Sequence, residues 1–397
     1  MLGGCFFISI LLVLLVISAV YFVRKTVKNT FSTTNIVRCL ALSPDGTKAF
    51  AIGSSYFALS PSGTYSHDVK YRTLWEWDTD NQIPLTLSPE RFTPYLISVW
   101  FSQDSTKLAI LYCANGQTDG SVCRLTLYDT LTGKLLWENG EIYGIESVAF
   151  SDGGENMTCA AGSSSGKKVY VLDMQTGNIL HEHILPGLGQ DNGIVLLSDG
   201  KHHVVMDNGA RLSMNRVRTI GIYDNYTREK INEYNVDDSE ISHRFFPPLR
   251  SFVTRDGDKL VMQIRGGSSS QQHRIVVFSI KDMKIVNQFS FGKGIIYEGM
   301  IGITPDSRKI LIAIGTDIHV VELSTGKTLL VFDQHTAPVG AVAFSPDSKY
   351  VLSAGDCRAF SISDKPMVDS HIYYWDINTG KIQKTLDVNS HPLFQNP

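Results

Sequence analysis

The strongest constraint on this chain of 397 residues is a unit that repeats along nearly all of it. Each unit opens with an apolar stretch that ends in Ser-x-Asp-Gly or a variant, and a second apolar stretch follows. A third ends in Asp-x-x-Thr-Gly-Lys or a relative, and a fourth closes the unit. The first half recurs at 40–48, 99–107, 148–154, 196–201, 252–259, 303–309 and 342–349. The second half is clearest at Thr132-Gly133-Lys134, Thr176-Gly177-Asn178, Thr325-Gly326-Lys327 and Thr379-Gly380-Lys381. Degenerate copies stand at 78–81, 224–227 and 281–284, so seven first halves alternate with seven second halves.

The turn chemistry is readable. In Ser43-Pro44-Asp45-Gly46, Pro presets φ, Asp bonds back to the backbone and Gly takes the left-handed position. Thr-Gly-Lys places Gly where a tight hairpin needs positive φ. Between the turns, stretches such as 309–314 are almost wholly apolar, as in sheets packed on both faces. The spacing of about fifty residues suits a blade of four strands with long connections. An open sheet of this many strands is implausible, and radial repetition removes its edges. The expected fold is therefore all-β: a seven-bladed β-propeller of four-stranded blades over 36–388, with a C-terminal tail at 389–397.

Over those residues the chain resembles the WD-repeat propeller family. In the last unit, Asp369-Ser370-His371-Ile372 runs on to Trp375-Asp376, like the family's Asp-Gly-x-Ile-x-x-Trp-Asp strand. His335, Ser353, Asp369 and Trp375 fall where the resemblance implies a buried hydrogen-bond network. Trp77-Asp78 keeps the dipeptide alone, and Gln334-His335 stands in place of Gly-His. Residues 127–137 look like a quinoprotein blade motif, but that motif stands alone.

Ahead of the repeats, Gly3 to Val23 carries no charge and Phe6 to Val23 is almost continuously apolar. At ~1.5 Å per residue, such a run is just long enough to cross a hydrocarbon core. A cleaved signal needs a basic region before the run, yet no Lys or Arg precedes Phe6. A retained single-span helix is expected: 1–28 as anchor with its basic flank, 29–35 as a short tether, and the membrane engaged through 6–23. Arg24, Lys25 and Lys28 follow the run, which puts the propeller on the cytoplasmic side. The acceptor triplets at Asn156 and Asn225 weigh the other way.

Catalytic motifs fail on context. Gly162 to Gly166 spells a nucleophile elbow, but it joins two strands where an elbow needs a strand and a helix. Gly326-Lys327-Thr328 ends like a phosphate loop, but Val321 takes the place of its first Gly and no helix follows. His181 and His183 share a strand face but have no third ligand in sight, and an exposed outer strand explains them. His202 and His203 face opposite ways. Cys113 and Cys123 flank one hairpin loop and are read as reduced thiols rather than a bridge. No metal and no cofactor is expected. The net charge of −3 gives no field that draws nucleic acid.

What remains is a set of long loops between second and third strands, 53–70, 114–122, 208–218, 265–273 and 355–370, which the resemblance places on one face. They carry Tyr56, Phe57, Tyr65, Arg211, Arg216, Arg218, Arg358 and Phe360, residue types enriched where partners bind. The expected function is a non-catalytic, membrane-anchored scaffold for a protein or peptide. An enzyme or small-ligand sensor at the channel mouth is one alternative. An envelope assembly factor, were the propeller outward-facing, is another.

Overall fold

The structure, a computed structural model, describes residues 34–58, 65–86, 92–114, 123–151, 153–163, 166–185, 193–197, 199–207, 219–236, 250–265, 272–293, 301–355 and 369–395. Among them are seven four-stranded antiparallel sheets, each built from four consecutive strands. The first blade holds β1 (Thr34–Leu42), β2 (Lys48–Ala58), β3 (Tyr65–Glu76) and β4 (Gln82–Ile83). The last holds β25 (Val339–Phe344), β26 (Tyr350–Gly355), β27 (His371–Asp376) and β28 (Ile382–Asp387). The first strands of neighbouring blades approach one another, so they line the axis. The expected helix over 6–23 lies outside the described residues. Within them, no helix is long and apolar enough to cross a membrane.

The apolar second strands are explained by what covers them. Side chains alternate between sheet faces, and in β22 (Lys309–Ile314) both faces are buried. Ile310 and Ile312 pack toward the fifth blade, while Leu311 and Ala313 pack toward the seventh. The buried core is accordingly divided into seven clusters, one for each pair of adjacent blades.

Each blade carries one left-handed residue in each of two turns. The first set is Gly46, Ser105, Gly154, Gly200, Gly257, Ser307 and Ser348; the second is Asp80, Gly133, Gly177, Arg228, Met283, Gly326 and Gly380. Two of the serines have a reason to replace Gly. Ser105 Oγ accepts the Asp45 N–H at 3.0 Å, and Ser348 Oγ accepts the Asp306 N–H at 2.9 Å, each across a blade boundary. Inside the turn, Ser43 Oγ donates to Asp45 Oδ1 at 2.6 Å and accepts the Lys48 N–H at 2.9 Å. The same Ser/Thr–Asp pairing recurs at Ser102, Thr254, Thr304 and Ser345.

The register corrects two readings. The Trp375-Asp376 position is occupied in the first blade by Trp75-Glu76, not Trp77-Asp78. Glu76 N–H donates to Asn81 and Trp77 N–H to Thr47, as Asp376 donates to Lys381 and Ile377 to Lys349. The dipeptide spelling is a poor guide here, because the turn after it sets the register. Second, Tyr56, Phe57 and Tyr65 lie on strands rather than in a loop, with Tyr56 opposite His67 and Ala58 opposite Tyr65. Strand-forming residues carry the pairing outward, so the connection shrinks to 59–64, where Pro61 and Gly63 stand.

The ring closes without exchanging a strand, since β28 completes its own sheet. The segment after β28 forms a clasp. Its 3-10 turn, Pro392–Phe394, seats Phe394 with no exposure, 5.0 Å from the Tyr71 ring and 5.8 Å from Trp75. Thr73 Oγ1 donates to the Leu393 carbonyl at 2.9 Å. Lys384 Nζ reaches Asp80 Oδ1 at 2.6 Å and lies 4.7 Å from the Trp77 ring centre.

Two outcomes follow for urea unfolding. Phe394→Ala should lower stability by about 3–5 kcal/mol, the cost of emptying a buried aromatic site. Arg228→Gly should raise it by about 1 kcal/mol, because an exposed residue is held left-handed at φ 68° and its backbone bonds survive the change.

Candidate functional site: the buried tetrad and the axial channel

The last blade brings four polar groups together. His335 follows β24 (Thr328–Phe332), Ser353 lies on β26, and Asp369 and Trp375 flank and occupy β27. His335 Nδ1 lies 2.7 Å from Asp369 Oδ2 and Nε2 lies 2.8 Å from Ser353 Oγ. Trp375 Nε1–H donates to the same Oγ at 3.0 Å, and its ring stacks on Phe332 at 4.3 Å. Gly355 makes room, since a Cβ there would come within 2.5 Å of Asp369 Cβ.

The Ser–His–Asp order imitates a hydrolytic triad. Its geometry fits one assignment: Nδ1–H donates to the carboxylate, the Ser hydroxyl donates to Nε2, and the hydroxyl oxygen accepts from Trp. That uses the Ser proton and one lone pair inside a site with no exposure at Ser353. A nucleophile must meet its substrate, so this network ties a loop to two strands instead. Burial pushes the Asp369 carboxyl up, but hydrogen bonds from His335 and the His371 backbone, with the nearby imidazole, hold it below the usual range. Trp75 lacks the same support. Ala51 stands opposite Thr73 as Ser353 stands opposite Tyr373, so its indole N–H has no hydroxyl to meet and is unpartnered among the described residues.

Along the axis, one cavity of about 520 Å³ is lined by residues of five blades, among them Cys39, Ser98, Glu146, Ser147, Met206 and Ser251. Glu146 is paired with Lys167, which is 4% exposed. Gly162 leaves space for the pair, because a Cβ would meet both partners. Burial pushes the Cys39 thiol up to about 12, opposed by the Val99 backbone bond, so it stays protonated. Toward the Ser-Pro-Asp-Gly turns a second cavity of about 810 Å³ is walled by Pro44, Phe101, Phe150, Phe344 and Pro346, with Arg255 and Asp256 at its rim. These volumes fall within the range of small-molecule sites, roughly 300–1,000 Å³.

Side chains of Tyr56, Phe57 and Tyr65, and residues Arg211, Arg216, Arg218, Arg358 and Phe360 altogether, lie outside what the structure describes. Cys113 and Cys123 are directly paired by backbone register. Gly162 to Gly166 joins strands β10 (Asn156–Ser163) and β11 (Gly166–Asp173). His183, read from sequence as lying on an exposed outer strand, is instead buried against the next blade. Its ring sits 5.7 Å from that of His203, which stacks on Tyr223 at 5.4 Å. Among the described residues, no three His, Cys, Asp or Glu are placed to hold a metal.

A family model described as WD domain, G-beta repeat matches residues 326–376. The match runs from the last strand of the sixth blade through the first three strands of the blade that holds the tetrad, and the seven four-stranded sheets extend the same plan around the ring. This chain is a WD-repeat-like seven-bladed β-propeller. No curated protein matches its sequence. Propellers of this kind commonly serve as protein-interaction scaffolds.

The His203 environment predicts acid sensitivity. Burial drives its pKa down to about 4, against an opposing bond to Asn225 and with help from His183 and His202. Unfolded, the imidazole titrates near ~6.5. Stability is then complete above 6.5 and is lost as pH falls from 6.5 to about 4, because only the unfolded chain binds the proton there. The loss should approach about 3 kcal/mol, with His183, also held down by burial, adding to it. Denaturant midpoints at pH 7 and 4.5 should differ strongly in the native protein and much less in His203→Gln.

Proposed function

We propose that this propeller is a non-catalytic scaffold, tethered through the apolar run of residues 6–23, that docks a protein or peptide on the face of its long connections. The asymmetry of the two ends supports this reading. Every first-to-second and third-to-fourth connection described is a tight turn with one left-handed residue. Second-to-third connections differ sharply. The third and sixth blades need only two residues, between Ser163 and Gly166 and between Ile314 and Asp317. The first, second, fourth, fifth and seventh blades interpose longer segments, up to fifteen residues between Gly355 and His371. Rigid sheets carrying uneven loops on one end are how scaffolds commonly build recognition surfaces.

The basic cluster at 24–28 favours a cytoplasmic propeller. A second reading, a small ligand in the axial channel, draws on the cavity walled by Glu146 and three serines. Replacing Tyr56, Phe57, Arg216 and Arg218 together by Ala should abolish co-purification of the partner from solubilised membranes. Full recovery of the same partner with that variant would overturn the docking face and favour the channel.

A further inference from the structure

A groove lies across the seam between the last and first blades, on the end opposite the long connections. It holds about 520 Å³ and is lined by Trp77, Tyr350, Tyr374 and Pro346, with Asp45, Asp78 and Asp347 around it. The aromatic rings run together, with Tyr350 and Tyr374 half-buried and Trp77 buried. Tyr374 stands 4.9 Å from Trp77, with planes at 61°, and 4.9 Å from Tyr350, with planes at 30°. The three carboxylates come from separate turns, two in the first blade and one in the last, and ring closure brings Asp347 beside the other two. All three are exposed.

We propose that this seam groove binds an arginine side chain of a protein partner. The combination selects a cation: aromatic faces attract positive charge, and carboxylates beside them strengthen the field. The molecule contains an internal precedent, since the Lys384 ammonium already rests on the Trp77 ring while bound to Asp80. Burial first, then Tyr350, Asp347 and Asp78, push the Tyr374 hydroxyl up to about 12.

Two other cations border the groove. Lys349 meets Asp347 at 3.3 Å, but both side chains are largely exposed, at 65% and 47%, so the pair is readily exchanged. Lys48 lies near Asp45, whose carboxylate also accepts from Ser43 and Thr47. Asp78 accepts no hydrogen bond among the described contacts, which leaves it open to a guest. Arginine fits better than lysine, because a planar guanidinium stacks on a tyrosine face and offers paired N–H groups to carboxylates. Binding there would touch both sides of the seam. The inference is independent of the docking face proposed above.

The test uses the intact protein carrying 5-fluorotryptophan, with the Trp77 fluorine signal assigned by its loss in Trp77→Phe. Titration with N-acetyl-arginine amide should shift that signal saturably, with a midpoint of about 1–10 mM, as expected for one weakly held side chain. N-acetyl-citrulline amide, equal in shape but neutral, should not shift it. Asp78→Asn combined with Asp347→Asn should weaken binding by about tenfold or more. Both positions are exposed, an Asn Oδ1 can still accept the Ser345 and Lys349 bonds that hold the Asp347 turn, and an unchanged melting temperature will show that this variant folds. Equal shifts from the citrulline compound, or full affinity in the Asn variant, would overturn the proposal, as would no saturation. So would a dimer in sedimentation that the Asn variant dissolves, which would make a second copy of this chain the occupant.

Discussion

Every blade here carries apolar side chains on both faces, so no sheet is stable until neighbours cover both sides. That requirement governs the rest of the molecule. It divides the core into seven interfaces, and it forces the array to close, because an open array would leave two large apolar faces in water. Closure falls on the seam between the last and first blades. A sheet shared between the two ends of the chain would be one solution, but here each sheet is complete within its own stretch of sequence. The seam is instead held by a packed interface, by the Thr73–Leu393 hydrogen bond and by Phe394 lodged against Tyr71 and Trp75. A segment that reads as an afterthought in the sequence is thus part of the core.

Polar groups inside such a fold must find partners or weaken it. The tetrad satisfies itself and is confined to one blade, where Ser353 supplies the hydroxyl that Ala51 withholds from Trp75. His203 is less well served. It has Asn225 on one nitrogen, while its Nε2 and His183 Nδ1 have no partner among the described residues. Lys167 and Glu146 offset each other at the channel wall. The same principle separates the look of catalysis from its substance. A Ser–His–Asp row is chemically ordinary when it is sealed and fully hydrogen-bonded.

How far the sequence can be read depends on the range over which each feature acts. Ser43, Asp45 and Gly46 act within five residues, as do Asp129 and Gly133, and such local chemistry recurs in recognisable form whenever a turn recurs. The number of blades and the strand order are therefore legible along the chain, while the position of the tetrad comes from the resemblance of the last unit to a known repeat. Tyr56, Phe57 and Tyr65 read as loop residues because only pairing across the hairpin shows that it extends past the blade. His183 reads as exposed because its burial depends on the neighbouring blade. The seam groove leaves no mark on the sequence at all, since Trp77 and Tyr374 are some three hundred positions apart.

By itself, then, the sequence determined an all-β array of seven repeated units, because turn residues and strand periodicity are local and each repeat declares them anew. Only the tertiary structure decided how the ring is fastened, which histidines are buried, and which aromatic and acidic residues meet across the seam. Those features arise where one blade packs on another, and the contacting residues carry no pattern along the chain that joins them.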